Sequence, residues 1–269
     1  MTDQFTTLHR LLDGHSVDSE RLRTVYGFGG LHGGILSAML LGRMRSAVDV
    51  SFRPVELTTQ FIAPTREMPS VHVSVLRRGR RNAQVTATAT APDGSIVATA
   101  DAVFAACADA PITHRLSPGP PSGVTPIESA SPIVIDPQFM PLATAFEIRP
   151  ATSTLPYTGG EDAELCAWIR LTGPAPEPQS RLLILVDALA PSYAATLSVL
   201  APIPTVRMAV HFAPTAQSID DEWVLLRART PHADDDGWLS ESLDLWTPDG
   251  VHLASSTQLR IVRPTAPVL

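Results

Sequence analysis

Apolar and polar positions along the chain change their period twice in the same order. A glycine cluster, GFGGLHGG at 27–34, opens a helix-like apolar run, ILSAMLLGRMRSA. The stretches VSFRPVELTTQFI, SVHVSVLRR, AQVTATATA and SIVATADAVFAA follow, rich in Val, Thr and Ile and alternating with period two, as half-buried strands do. From 108 to 144 the text turns dense in Pro and Ser, which sustains neither a helix nor a central strand. Beyond it AELCAWIRL reads as a strand and RLLILVDALAPSYAATLSVL as a helix. TVRMAVHFA, EWVLLRART, WLSESLDLW and VHLASSTQLRIV then form a second meander.

Two short matches set the register between the copies. FIAPT at Phe61 to Thr65 pairs with HFAPT at His211 to Thr215, and APDGSIVATA at Ala91 to Ala100 pairs with TPDGVHLASS at Thr247 to Ser256. PDG is hairpin chemistry in both. The expected division is a first α+β unit at 1–107, a Pro-rich linker at 108–144 and a second unit at 145–269. A four- or five-stranded antiparallel sheet with one helix leaves apolar surface that a second copy covers, so the units should pack together.

Composition narrows the function. With 44% hydrophobic and 17% charged residues over 269 positions the chain has ample apolar surface to bury. Its net charge of −7 argues against extended nucleic-acid contact, which needs clustered Lys and Arg. No apolar run approaches the ~18 to 20 residues of a bilayer span and the start lacks a secretory pattern, so a cytoplasmic location is expected, with no membrane and no nucleic acid among the partners. Cys107 and Cys166 lack metal or redox spacing and read as reduced core residues. No metal and no cofactor are expected.

Polar residues present in only one copy are candidates for chemistry. Aligning the copies sets Asp187 against Leu41, Thr205 against Val55 and Gln258 against Ala102. Asp187 interrupts an apolar run, where an unpaired buried carboxylate costs several kcal/mol unless it is hydrogen-bonded or faces a wet cleft. A helix cap before Pro191 would also explain it. Thr205 is an ordinary strand residue, and Gln258 alternates with Ser256 and Arg260 as a solvated face also would.

With these residues in place the chain resembles the acyl-CoA thioesterase II (TesB-like) double-hotdog family over nearly its whole length. FGG at Phe28 to Gly30, the strand ending FIAP, LRRGRRNAQVTATA and the DG turn before IVATADAVF carry the likeness in the first half. Asp187, the TVRMAVHF strand, Glu222 with Trp223, and LASSTQ ending at Gln258 carry it in the second. The resemblance implies two tandem hotdogs, each an antiparallel sheet wrapped around one central helix. It implies hydrolysis of acyl-CoA to free acid and CoA, with Asp187, Thr205 and Gln258 holding the hydrolytic water. HGG at His32, Gly33 and Gly34 resembles instead the helix start of single-hotdog thioesterases. Their later acid is absent here, Leu41 standing at its place, so one site per chain is expected, with Gly33 and Gly34 offering N–H groups to the oxyanion. A homodimer or higher homo-oligomer is the expected assembly.

Other readings fit less well. GFGGLHGG followed by Asp49 imitates a dinucleotide fingerprint, but His32 replaces the last glycine and strands follow. GxSxG is absent, and HADDD at His232 to Asp236 lacks calcium-loop spacing. A double-hotdog enoyl-CoA hydratase needs a His five residues after its Asp, where Ser192 stands. An acyl-CoA-binding protein without hydrolytic activity is the rival from another class. Arg77, Arg78, Arg80 and Arg81 read as a solvated hairpin turn or as a contact for a CoA phosphate.

Overall fold

The computed structural model describes residues 2–106, 112, 114, 116–217 and 221–264. Two helices not anticipated from the pattern come first, α1 (Thr2–Leu12) and α2 (Ser19–Arg23). Phe5, Leu8 and Leu11 share a helical face and are buried, which docks α1 on the core. Asp18 starts α2 by accepting the Arg21 N–H. Then follow α3 (Gly33–Arg45), β1 (Phe52–Phe61), β2 (Ser70–Arg78), β3 (Asn82–Thr90) and β4 (Ile96–Ala106). The second half contains β5 (Phe146–Pro150), β6 (Glu164–Leu171), α4 (Pro178–Val186), β7 (Thr205–Phe212), β8 (Val224–Ala233), β9 (Trp238–Trp246) and β10 (His252–Ile261).

All ten strands join in one antiparallel sheet of order β2-β3-β4-β1-β7-β10-β9-β8-β6-β5. The halves meet where β1 pairs with β7, from Glu56 opposite His211 to Gln60 opposite Arg207. One apolar core extends under both halves, and α3 and α4 lie in it side by side. Every α3 residue from Gly34 to Leu41 is buried, as is every α4 residue from Gln179 to Val186. That burial on all sides explains runs of apolar residues too continuous to be amphipathic.

Three expectations need correcting. The helix expected over 181–200 ends at Val186, because Asp187 has φ −105° and ψ 7°, outside the helical region, and Pro191 prevents resumption. Only a 3₁₀ turn, Ser192–Thr196, follows. β5 was not anticipated, its five residues being too few to show a period. Finally, all of β7 lies one position away from the FIAPT–HFAPT match: Phe61 opposite Ala98 corresponds to Phe212 opposite Ala254, and Ile62 is the extra residue, its N–H and that of Ala63 both reaching the Val97 carbonyl where the Ala213 N–H alone reaches that of Leu253. A bulge at Val55 sets Pro54 opposite Phe104, and the matching bulge at Val206 sets Thr205 opposite Arg260. Pro54 is therefore the counterpart of Thr205, and a proline is tolerated there because the bulge spares a ladder bond. Ala102 remains the counterpart of Gln258, since Leu57 pairs with Ala102 as Met208 pairs with Gln258.

The Pro-rich segment packs on the second half. Trp168 Nε1 donates to the Thr125 carbonyl and Trp246 Nε1 to that of Pro118, while Val124 and Ile127 cover Cys166, Leu225 and Trp246. β6 is thus buried on both faces, which accounts for its unbroken apolar sequence. Burial pushes the Cys166 thiol up to about 12, and Cys107 lies outside the described residues. Among the described residues no helix is long and apolar enough to cross a membrane.

Candidate active site

The start of α3 is prepared by a close backbone approach. A Cβ on Gly30 would lie 2.2 Å from the Thr65 carbonyl oxygen, the same oxygen that accepts the Leu31 N–H at 2.8 Å. Only glycine admits that contact. Thr65 turns its own loop, its hydroxyl donating to the Glu67 carbonyl at 2.8 Å. His32 precedes the helix without a side-chain cap, leaving the first N–H groups of α3 to other partners.

One such partner comes from the other half. Asp187, at the end of α4, accepts the Gly34 N–H on Oδ2 at 2.9 Å. A Cβ on Gly34 would sit 2.3 Å from the Leu183 carbonyl oxygen, and one on Gly33 would sit 2.8 Å from Asp187 Oδ2 and against the Phe61 ring. The paired glycines thus let the start of α3 touch the end of α4. The positive end of α3 favours a carboxylate there, by about 0.3–1 kcal/mol for such a charge–dipole contact. The Asp187 side chain is 13% exposed, so it meets both the core and water.

His32 braces the same residue. Its Nε2 lies 3.0 Å from the Asp187 carbonyl oxygen and 3.6 Å from Oδ2. A carbonyl only accepts, so Nε2 carries the hydrogen. Nδ1 is buried without a partner among the described residues, and the ring packs against Phe146. Gln258 lies on the inner face of β10, its Oε1 accepting the Thr205 hydroxyl at 3.1 Å and its Nε2 donating to the Val186 carbonyl at 3.4 Å. Val186 immediately precedes Asp187. All six expected positions, His32, Gly33, Gly34, Asp187, Thr205 and Gln258, therefore meet where the two halves join. The Gly34 N–H, expected to face an oxyanion, is engaged by Asp187 in this arrangement.

Comparison with known proteins shows the family of the chain. Residues 24–105 match the family described as acyl-CoA thioesterase N-terminal domain, and residues 120–262 match the one described as acyl-CoA thioesterase C-terminal domain. The chain belongs to the acyl-CoA thioesterase family. This thioesterase is accordingly a thioester hydrolase. Among solved structures it is similar to a hotdog-fold protein of unknown function from Alicyclobacillus acidocaldarius, at 26% identity and TM-score 0.80 over 91% of each chain. It is also similar to the tesB protein of Mycobacterium avium subs paratuberculosis, with 18% identity, TM-score 0.73, and coverage of 97% of this chain and 100% of that one. An acyl-CoA thioesterase II from Mycobacterium marinum gives 18% identity and TM-score 0.69, covering 96% and 99%. No curated protein matches by sequence. The fold is a double hotdog.

Two further positions take their meaning from that frame. Ser192, where a hydratase would carry its histidine, is buried, with its hydroxyl 2.8 Å from Thr230 Oγ1 and its N–H donating to Glu241 Oε1 at 2.6 Å. The arginine hairpin lies elsewhere: Arg78 donates to the Ala47 carbonyl just past the end of α3. A 13-residue helix is about 20 Å long at 1.5 Å per residue, so the hairpin is a helix length from Gly33. Glu241 and Arg260, which the sequence analysis did not single out, are also buried beside Gln258 and Thr205. Their counterparts in the first half, Val85 and Phe104, would have signalled them through the comparison that found Gln258.

Proposed function

We propose that the thioesterase hydrolyses acyl-CoA to free acid and CoA by water that Asp187 activates as general base. The observation that carries this is the contact of Asp187 with the start of α3. Oδ2 is held by Gly34, and among the described residues Oδ1 has no hydrogen-bond partner, leaving it to take a proton. Thr205 and Gln258, tied to each other and to Val186, supply a hydroxyl and an amide beside it to aim the water.

The steps balance within this set. Water oxygen attacks the thioester carbonyl carbon while its proton passes to Asp187. Negative charge collects on the carbonyl oxygen, which the Gly33 N–H at the first position of α3 faces in the bound substrate; one such donor is worth about 10²- to 10³-fold. The intermediate collapses, the C–S bond breaks, and the leaving CoA thiolate takes the proton from Asp187. His32 keeps Asp187 in place through its backbone.

Asp187→Asn retains the shape and removes the base. We expect kcat for release of free CoA thiol, read with a chromogenic thiol reagent, to fall about 10²- to 10⁴-fold. Turnover at the wild-type rate would remove Asp187 from that role. We further place the enzyme in the cytoplasm, in the turnover of fatty acyl-CoA, and as a homodimer or higher oligomer, because β2 ends the sheet with an edge that no other described strand pairs, while Ile133 bridges the β5 edge at Ile148. Light scattering that returns one chain mass would dismiss the assembly.

A further inference from the structure

Behind the site lies a buried ion pair that the first half lacks. Arg260 Nε donates to Glu241 Oε2 at 2.5 Å, with side chains 6% and 1% exposed. Each residue is tied to a part of the site by strand register, Glu241 opposite Gln258 and Arg260 opposite Thr205. The other carboxylate oxygen, Oε1, accepts the Ser192 N–H at 2.6 Å, on the turn that carries Asp187 out of α4. Arg260 Nη1 reaches the Ile203 carbonyl at 3.5 Å, on the segment that leads to Thr205. The pair thus links β9, β10, the turn after Asp187 and the approach to Thr205.

Stability alone does not account for it. Taking two charges out of water is costly, and apolar residues of similar size often replace such a pair without loss or with a gain. The first half does so with Val85 and Phe104 at the counterpart positions, in the same kind of sheet. We infer that Glu241 and Arg260 are positioning residues. They hold the turn after Asp187 against the strands of Thr205 and Gln258, so that the base and the two water-aiming groups keep one geometry. Small displacements are costly in such a site, since about 1 Å of misplacement loses on the order of 10²-fold in rate.

The inference rests on the proposed role of Asp187, and the test separates the two. The double variant Glu241→Val with Arg260→Phe installs the residues of the first half and leaves neither charge unpaired. The expected result is a melting temperature at or above wild type, KM for acyl-CoA within about twofold, and kcat reduced tenfold or more. Wild-type kcat in the folded double variant would overturn the positioning role while Asp187→Asn remained inactive. An active Asp187→Asn would instead defeat the mechanism itself. Should the double variant fail to fold, Glu241→Gln and Glu241→Leu supply the reading. Both leave Arg260 without its carboxylate and lower the melting temperature to a similar extent; the amide still accepts from Ser192 and is expected to keep kcat within threefold, whereas leucine, which accepts nothing, is expected to lose tenfold or more. Equal kcat in the two would overturn the inference.

Discussion

The two central helices begin in opposite ways. α4 starts closed: Glu177 accepts the Ser180 N–H at 3.0 Å and that of Gln179 at 3.2 Å, and Pro178 removes a further donor from the first turn. α3 starts open, with His32 giving no side-chain cap and two glycines baring the backbone. Its Gly34 N–H is met by a carboxylate from the other half. A helix that satisfies its own first turn has no donors left for a substrate, whereas one that borrows Asp187 puts a carboxylate and bare N–H groups in one place, the pair that the proposed mechanism uses as base and anion-binding end. The ends of the helices differ to match: the last turn of α3 carries Arg43 and Arg45, and α4 ends on Asp187. The two halves share one frame, and the polar residues proposed to carry the chemistry stand at one junction in the second half.

Closing the open start should have the largest effect. In Gly34→Ala the new Cβ would meet the Leu183 carbonyl oxygen at 2.3 Å, so α3 and α4 must separate. Overpacking of this kind costs about 1–3 kcal/mol. The retreat also carries Asp187 away from the α3 N–H groups, so kcat should fall about 10²-fold. Thermal denaturation and thiol-release kinetics on one preparation check both parts, and an unchanged kcat would show that the helix contact is not part of the site.

Weakening the groups proposed to aim the water should cost less. Thr205→Val keeps the shape and loses the hydroxyl that donates to Gln258. A single hydrogen bond of about 1–1.5 kcal/mol corresponds to roughly tenfold in kcat. Thr205→Ser keeps the hydroxyl and should restore most of the rate. A valine variant as active as the serine variant would exclude the hydroxyl from the reaction.

The same contrast explains what the sequence could disclose. Strand alternation, the PDG turns and the two FAPT-type matches made the tandem repeat legible, because periodicity and turn chemistry are local. The polar–apolar mismatches between copies led to Asp187 and Gln258, since a carboxylate or an amide among core residues carries a cost. The matching of Thr205 slipped by one, because Ile62 is an extra residue between the first-half strand and its APT turn, and only pairing reveals that Pro54 is the counterpart of Thr205. The end of α4 at Val186 was hidden for a related reason, the apolar run continuing through Ala188 to Ala190. Glu241 and Arg260 looked like ordinary polar strand positions until the register showed them side by side, facing inward. The meeting of Asp187 with Gly34 spans 153 positions in the chain and left no local signature.

The smallest expected effect is at the closed start. Glu177→Ala removes the acceptor for two N–H groups and for the Ser180 hydroxyl, and with it a negative charge from the positive end of α4. Loss of such a cap costs about 1 kcal/mol of stability. Activity should stay within twofold, because Asp187 is held at the opposite end of α4 by Gly34, by His32 and by buried side chains on every turn between. Denaturant unfolding and steady-state kinetics read the two quantities separately. If kcat instead dropped as far as in Gly34→Ala, the two helix starts would be mechanically coupled through α4, and the division into one structural and one chemical start would have to be given up.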